Sequence, residues 1–326
     1  MWRYREAIPL GSDKNIVSFG EGFTPMIPLN FKGLGVLAKL DFIFPTGSFK
    51  DRGSSVMMSR LREMNVNKIM DDSSGNAGAS ISAYAAKAGI PCEIFCPDYA
   101  SGGKLTQITY YGAKLNMIAG TREDTEKAIL EKAGKIFYAS HNWNPYFLEG
   151  TKTLAFEIAE QLGWSSPDSI ICPCGNGGVY LGLFIGFREL IEEGMVKKMP
   201  KLLGVQSSSC PPVYNAYMEK MDFVKGFTQT RKTIAEGICL AKPPRGKMIL
   251  KAAKQSKGGF ETVGESEVIR GLKFLSSQGI YVEPTSAVVI PAFEKFRRSG
   301  FIGKKGKTVL VLTGSGLKTT EILSLL

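Results

Sequence analysis

Residues 68–96 of the chain read KIMDDSSGNAGASISAYAAKAGIPCEIFC. This stretch predicts a brief strand at Lys68–Met70, a loop of small polar residues at Ser73–Ser80 and a helix that the loop opens. The helix runs to about Lys87, and a second strand, Cys92–Cys96, follows it. Strand, helix and strand in this order form the unit in which a crossover helix joins two parallel strands.

The same alternation continues along the chain. A helix over Lys104–Tyr111 and a strand over Lys114–Ile118 come next. Later, the apolar strand Ser169–Cys172 precedes a glycine-rich turn, Gly175–Gly178, and an apolar helix, Val179–Glu193. We therefore predict an α/β fold built on parallel strands with crossover helices.

A lysine at the mouth of a helix is the first candidate for chemistry. Lys50 lies in PTGSFKDRG, residues 45–53, just before a predicted helix at Arg52–Met64. Helix N-termini carry unpaired N–H groups and partial positive charge, so they favour the free-amine form of a lysine and hold a nearby anion. Lys50 is therefore a candidate Schiff-base former. The alternative is an ordinary solvated lysine in a loop.

Two loops have the composition of ligand-binding turns. In the first, Ser73, Ser74 and Asn76 offer side-chain hydrogen bonds beside free N–H groups, and small neighbours let a ligand approach. The second, Gly175–Gly178, has the form of a phosphate cradle between strand and helix. It has neither the dinucleotide fingerprint nor the lysine and hydroxyl of an NTPase loop, so we predict a phosphate without a nucleotide. The alternatives are a plain capped helix and a tight turn.

A third candidate loop follows the predicted strand Thr308–Leu312. The strand ends in Thr313–Gly316, a run of threonine, serine and glycine. In an open parallel sheet, ligands bind at the carboxyl ends of the strands. We therefore expect Thr313 and Ser315 to lie near a ligand.

Composition narrows the class of protein. The 326 residues are 44% hydrophobic and 22% charged, as in an ordinary globular protein. The net charge is +11, but the basic residues are spread along the chain without a stripe interleaved with aromatics, so we predict no nucleic-acid partner. The chain opens on polar residues and has no apolar run long enough to span a membrane. We expect a cytoplasmic protein with no membrane partner.

The cysteine and histidine content argues against a zinc protein and against a histidine-dependent hydrolase. The six cysteines lack the paired spacing of zinc sites, so we predict no metal. His141 is the only histidine, which leaves little material for a histidine-dependent hydrolase. Its side chain suits acid and base work, and the alternative is a packing or loop residue.

Four motifs, in this order, resemble those of the pyridoxal-phosphate enzymes of the tryptophan synthase β-subunit class, called fold type II. They are Ser48–Gly53, Ser74–Asn76, Gly175–Gly178 and Thr313–Gly316. Within this class the sequence is most similar to the threonine synthases, and the likeness covers nearly the whole chain.

The resemblance implies a fold of two domains. Each has an open, mostly parallel sheet with helices on both faces, and the cofactor lies in the cleft between them. The larger, cofactor-binding domain would comprise residues 1–45 and 142–326, and the smaller, substrate domain residues 46–141. A homodimer is the implied assembly.

The resemblance also implies a cofactor, pyridoxal 5′-phosphate, and the residues that bind it. Lys50 would form the Schiff base and act as the catalytic base and acid. Asn76 would bond the ring oxygen of the cofactor, and Thr313 would face its pyridine nitrogen. The phosphate would bind at Gly175, Asn176, Gly177 and Gly178.

The implied reaction is that of a lyase acting on a small anionic amino acid. Phosphate is lost from O-phospho-L-homoserine, and addition of water gives L-threonine. The substrate would lie beside Ser73, Ser74, Ala77, Lys104, His141 and Asn142. An alternative of another class is a non-catalytic cofactor-binding protein, which the intact Lys50 disfavours.

Three positions depart from the family pattern. Ala77 stands where the family has threonine, His141 where a polar amide is expected, and Phe147 where an arginine binds the substrate phosphate. A phenyl ring cannot reproduce the bidentate grip of arginine. The charge could come instead from Lys104, Lys152 or His141. The departures keep open a threonine or serine ammonia-lyase, or a β-replacement enzyme, on the same fold.

Overall fold

The computed structural model describes residues 1–31, 34–98, 100, 103–120, 122–228, 231–303 and 305–324. The strands of this part of the chain are β1 (Met26–Phe31), β2 (Leu34–Leu40), β3 (Ile69–Asp71), β4 (Cys92–Pro97), β5 (Lys114–Ile118), β6 (Phe137–Tyr138), β7 (Ser169–Pro173), β8 (Lys201–Ser207), β9 (Gly259–Val263) and β10 (Thr308–Leu312). The α-helices are α1 (Lys50–Glu63), α2 (Asn76–Ala88), α3 (Gly103–Tyr110), α4 (Arg122–Leu130), α5 (Pro145–Thr151), α6 (Thr153–Gln161), α7 (Gly178–Glu192), α8 (Pro212–Met218), α9 (Gly246–Gln255), α10 (Glu265–Ser276), α11 (Pro284–Ala287), α12 (Val289–Arg298) and α13 (Thr320–Leu323). Within the described ranges, no helix combines the length and the apolar character that crossing a membrane requires.

The chain divides into two compact units. The first comprises Met1–Gly22 and Phe44–Thr151, and the second comprises Phe23–Ile43 and Lys152–Leu326. Each unit has its own sheet and its own apolar core. The prediction of an α/β fold with two mostly parallel sheets is confirmed.

The sheet of the first unit has the strand order β5–β4–β3–β6, and each neighbouring pair is parallel. Helix α5 packs closely on α1 through two glycines. A Cβ atom on Gly53 would lie 2.5 Å from the ring of Phe147, and one on Gly150 would lie 1.9 Å from the carbonyl oxygen of Arg52. The backbones of α1 and α5 therefore approach to a distance that only glycine permits.

The N-terminal segment belongs to this first unit because serines of α1 bind it. Ser55 Oγ donates to the carbonyl oxygen of Val17 at 2.7 Å and accepts from Trp2 Nε1 at 2.9 Å, while Ser59 Oγ accepts from the N–H of Val17 at 2.8 Å. The observed units thus differ from the predicted domain boundaries at residues 1–22, 44–45 and 142–151.

The sheet of the second unit has the order β1–β2–β10–β7–β8–β9. Only β1, which pairs with β2, is antiparallel among these described strands. Because β10 and β7 are parallel neighbours, the loops that follow them lie at the same edge of the sheet.

A buried ion pair fixes the start of the second unit. Lys39 Nζ lies 2.8 Å from Glu157 Oε2, and neither side chain is exposed. Glu157 also accepts from the N–H groups of Phe23 at 2.7 Å and Thr24 at 3.2 Å. The turn that precedes β1 is therefore held by a buried carboxylate and its counter-ion.

Candidate active site

In the first unit, Lys50 is the first residue of α1, two residues earlier than the predicted start. Asp51 secures the turn before it. Its carboxylate accepts from the N–H of Thr46 at 2.8 Å and from the hydroxyl of Ser80, on α2, at 2.6 Å. Because these bonds tie the turn to a second helix, the backbone of Lys50 has a fixed position.

An aromatic ring lies over the lysine side chain. The Nζ atom of Lys50 is 5.7 Å from the ring centre of Phe147 and 5.0 Å from that of Phe49. Phe147 is only 1% exposed, and its ring also contacts that of His141, with the two centres 5.8 Å apart. Phe147 is thus part of an apolar wall beside Lys50.

The asparagine loop leads from β3 into α2, with Asn76 as the first helical residue and Gly75 as N-cap. Ser73 Oγ accepts from the N–H of Gly75 at 3.2 Å. A Cβ atom on Gly78 would lie 1.8 Å from the carbonyl oxygen of Ser73, so the loop folds tightly onto the helix. Ala77 is buried, and Ser74 is half-buried in the same turn.

Two acids that sequence reasoning missed precede this loop. Asp71 is fully buried, its Oδ2 accepts from the N–H of Ser73 at 3.2 Å, and its Oδ1 lies 3.6 Å from Nδ1 of His141. Burial raises the pKa of Asp71 to about 7, although the backbone N–H groups of His141 and Ser73 and the charge of Lys50 oppose this rise. Burial also raises the pKa of Asp72. The available signal was a pair of carboxylates at the end of an apolar strand.

The remaining predicted residues of this unit lie on two other elements. Asn142 follows His141 directly, and its N–H donates to Ser140 Oγ at 3.3 Å. Its buried Oδ1 has no hydrogen-bond partner among the described residues. Lys104 lies half-buried in the first turn of α3. One turn later, Gln107 Nε2 donates to the carbonyl oxygen of Thr46, in the lysine turn, at 3.2 Å.

In the second unit, the predicted phosphate loop connects β7 to α7. Gly177 is the N-cap of α7 with φ +78°, and no side chain caps this helix. A Cβ atom on Gly175 would lie 3.0 Å from the carbonyl oxygen of Gly237, whereas one on Gly178 would meet no atom within 4 Å. The N–H groups at the start of α7 therefore face a position that no side chain fills.

This loop fits a phosphate group. Glycine supplies the positive φ at Gly177, and the 15-residue helix α7 supplies N–H donors and a positive dipole end. The side chain of Asn176 has a buried Oδ1 without a hydrogen-bond partner in the described part of the chain. A polar group bound in the loop would satisfy that amide.

Thr313 lies at the same edge of this sheet, directly after β10. Its hydroxyl is 3.2 Å from Ser286 Oγ, which also accepts from the N–H groups of Thr313 at 3.0 Å and Gly314 at 2.8 Å. Ser286 thereby fixes a neutral hydroxyl next to the phosphate loop. Sequence reasoning gave Ser286 no role.

Comparison with known proteins identifies the family to which the chain belongs. The sequence model described as "Pyridoxal-phosphate dependent enzyme" matches residues 17–314, which is most of the chain. The chain belongs to this family. The predicted family and its cofactor, pyridoxal phosphate, are confirmed.

Curated relatives in this pyridoxal-phosphate family are threonine synthases. That of Methanocaldococcus jannaschii is 36% identical over 98% of this chain and 81% of its own length, and that of Bacillus sp. (strain ULM1) is 36% identical over 98% and 90%. The threonine synthase of Mycobacterium tuberculosis H37Rv is 32% identical over 98% and 88%.

Solved structures support the fold alone, because their identities are low. An L-serine ammonia-lyase from Rhizomucor miehei has a TM-score of 0.80 at 18% identity and covers 93% of this chain and 97% of its own. Maize serine racemase has a TM-score of 0.79 at 20% identity, covering 93% and 91%. The roles given to individual residues stay predictions.

Proposed function

We propose that this enzyme is a threonine synthase: it releases phosphate from O-phospho-L-homoserine and adds water to give L-threonine. The observation that carries the proposal is identity of 31–36% to threonine synthases over 98% of the chain. Fold likeness does not discriminate, since an ammonia-lyase and a racemase share the architecture.

Within this proposal, the second unit binds the cofactor. Gly175–Gly178 hold its phosphate at the start of α7. Thr313 would present a neutral hydroxyl to the pyridine nitrogen, and Ser286 Oγ lies 3.2 Å from that hydroxyl. A hydroxyl, unlike a carboxylate, does not enforce a proton on that nitrogen, which suits elimination and replacement chemistry. When bound, the cofactor supplies an electron sink for charge that develops at the substrate carbons.

The first unit supplies the proton chemistry and the substrate contacts. Lys50 would hold the cofactor, and its amine would carry protons to and from the substrate carbons. Asn76 bonds the ring oxygen of the cofactor. Substrate contacts come from Ser73, Ser74, Ala77, Lys104, His141 and Asn142. We further propose that the protein is cytoplasmic and forms a homodimer. Size-exclusion chromatography with light scattering tests the dimer by its molar mass.

A second candidate activity is favoured by one observation. Phe147, buried over Lys50, presents carbon where phosphate recognition needs a cation. Lys152 cannot replace that cation, because its Nζ lies 2.9 Å from Glu189 Oε2 and is already paired. Ammonia loss from L-serine or L-threonine requires no phosphate recognition and is the alternative reaction.

The test is a side-by-side assay of the cofactor-loaded enzyme. O-phospho-L-homoserine should give equal amounts of phosphate and L-threonine. If phosphohomoserine is inert while L-serine or L-threonine gives an oxoacid, the enzyme is an ammonia-lyase. Lys50→Ala should lose both turnover and covalent attachment of the cofactor, whereas Lys87→Ala, an exposed lysine of the same unit, should lose neither. Activity retained in Lys50→Ala would overturn the mechanism.

A further inference from the structure

A buried carboxylate and the only histidine of the chain meet beside Lys50. Asp71 and His141 are 0% and 9% exposed, and Oδ1 of the first lies 3.6 Å from Nδ1 of the second. The N–H of Ser73 donates to the other carboxylate oxygen, so Oδ1 is the atom oriented towards the imidazole. A buried carboxylate is costly unless a counter-charge or a proton compensates it.

The surroundings contain several other titratable groups. Lys50 faces Asp71 from α1, Asp72 is its neighbour in sequence, and Cys92 faces it from β4. Tyr138 on β6 hydrogen-bonds to Asp72. The charge of Lys50 therefore favours the ionised form of Asp71, and a protonated His141 would favour that of Asp72.

The ring of Phe147 lies beside both Lys50 and His141. Its centre is 5.7 Å from Lys50 Nζ and 5.8 Å from the centre of the imidazole ring, and it is 1% exposed. An apolar wall lowers the local dielectric constant, so charges on its two sides influence each other more strongly than in water.

We propose that Asp71 and His141 form a positioning pair that holds one proton between them and so sets the electrostatic field at Lys50. At neutral pH the proton resides on Nδ1 of the imidazole, and titration of either group is coupled to the other. The effect on Lys50 rests on the function proposed above, whereas the pair itself rests only on the contacts of the first unit.

Because the chain has a single histidine, every imidazole signal in an NMR spectrum belongs to His141 and needs no further assignment. The imidazole resonances of the protein without cofactor report His141 alone, and His141→Gln should remove them. We expect ¹⁵N shifts in which Nδ1, the nitrogen facing Asp71, carries hydrogen at neutral pH. A neutral ring protonated only at Nε2 would overturn the pairing, and this measurement needs no variant.

Asp71→Asn removes the charge and keeps the shape. An opposite charge within about 4–6 Å stabilises the charged form of a group, so the titration midpoint of His141 should fall by roughly one unit. Asp98→Asn is the matched control, because Asp98 is an exposed carboxylate directly after the neighbouring strand β4. Equal midpoints in wild type and Asp71→Asn would refute the pair.

The link to Lys50 has a separate readout. The absorbance of the lysine-bound cofactor reports whether that bond is protonated, and loss of a nearby negative charge should lower its pH midpoint in Asp71→Asn but not in Asp98→Asn. An unmoved midpoint would refute the effect on Lys50. Borohydride reduction followed by peptide mapping identifies the residue to which the cofactor is attached. Cofactor found on a residue other than Lys50 would refute the proposed function and leave the NMR result unaffected.

Discussion

Replacing Lys39 by methionine should strongly destabilise the second unit. The Nζ of Lys39 lies 2.8 Å from Glu157 Oε2, 2.6 Å from the carbonyl oxygen of Thr24 and 3.0 Å from Gln161 Oε1. Methionine keeps the apolar stem but leaves the carboxylate of Glu157 buried without this cation. Removing one partner of a buried pair costs about 3–5 kcal/mol, which is the loss of unfolding free energy we expect.

Urea unfolding followed by circular dichroism measures this loss, and an exposed ion pair provides the control. Lys198 Nζ lies 2.7 Å from Asp168 Oδ1, but the two side chains are 59% and 53% exposed. Lys198→Met should therefore cost less than about 1 kcal/mol. The two pairs have nearly the same separation, so the difference between the two substitutions measures burial together with the hydrogen bonds of Lys39 to Thr24 and Gln161.

A second substitution tests the cause. Glu157→Gln removes the negative charge and keeps an oxygen for the N–H of Phe23, while its NH2 group replaces the oxygen that accepts from Thr24 at the longer distance of 3.2 Å. Added to Lys39→Met, it should restore part of the lost stability, because the uncompensated charge is gone. The reasoning is refuted if Lys39→Met costs no more than Lys198→Met, or if the double variant is less stable than Lys39→Met alone.

Three further outcomes follow from the geometry. In Gly177→Ala, the alanine must adopt φ +78° and its Cβ would lie 2.5 Å from Ile249 Cδ1. The dissociation constant for the cofactor, measured by fluorescence titration, should therefore rise about tenfold. Gly194→Ala is the control: at φ +69° its Cβ would meet nothing within 4 Å, and the dissociation constant should not change. Gly150→Ala should push α5 off α1, because its Cβ would lie 1.9 Å from the carbonyl oxygen of Arg52, and the melting temperature should fall. The folded pKa of Asp71, about 7, lies above its unfolded value of 3.8, so its favourable contribution is complete below the unfolded value and is lost as pH rises to the folded one. Asp71→Asn does not titrate, so its urea stability relative to wild type should rise as the pH is raised from roughly 4 to 8, and a difference independent of pH would contradict this.

Local signals allowed prediction of the loops and the elements that flank them. The strand β7, the glycine turn and α7 are contiguous in sequence, and their residue types define each conformation without help from distant parts of the chain. The same holds for the asparagine loop between β3 and α2. Lys50 at the start of a helix was likewise predictable, to within two residues, from turn chemistry and helix propensity.

Features that depend on distant partners were not predictable. Ser55 and Ser59 appear in sequence as polar residues of a helix, yet their hydroxyls bind Val17 and bring the N-terminal segment into the first unit. Lys39 and Glu157 are 118 residues apart, and nothing in either neighbourhood indicates that they meet in a core. The sequence around Asp71 is also compatible with a solvated turn, and it does not show that His141 lies 3.6 Å from this carboxylate.

We propose Lys104 as the source of the cation for a phosphorylated substrate, on the ground of its position. Lys152 is paired with Glu189 at 2.9 Å, and His141 lies 3.6 Å from Asp71. Lys104 precedes by one turn of α3 the residue Gln107, whose amide bonds the lysine turn at 3.2 Å. Residues three apart on a helix share a face, so Lys104 lies on the side of α3 that contacts this turn.

Lys104→Met should therefore raise KM for O-phospho-L-homoserine by about tenfold to a hundredfold, since a hydrogen bond to a charged group contributes about 1.5–3 kcal/mol. Any deamination of L-serine should keep its KM, because serine has no phosphate for the lysine to bind. Lys87→Met, an exposed lysine of the same unit, is the control and should change neither constant. An unchanged KM for phosphohomoserine in Lys104→Met would remove this cation from phosphate recognition. Together with the apolar wall of Phe147, that result would favour the ammonia-lyase.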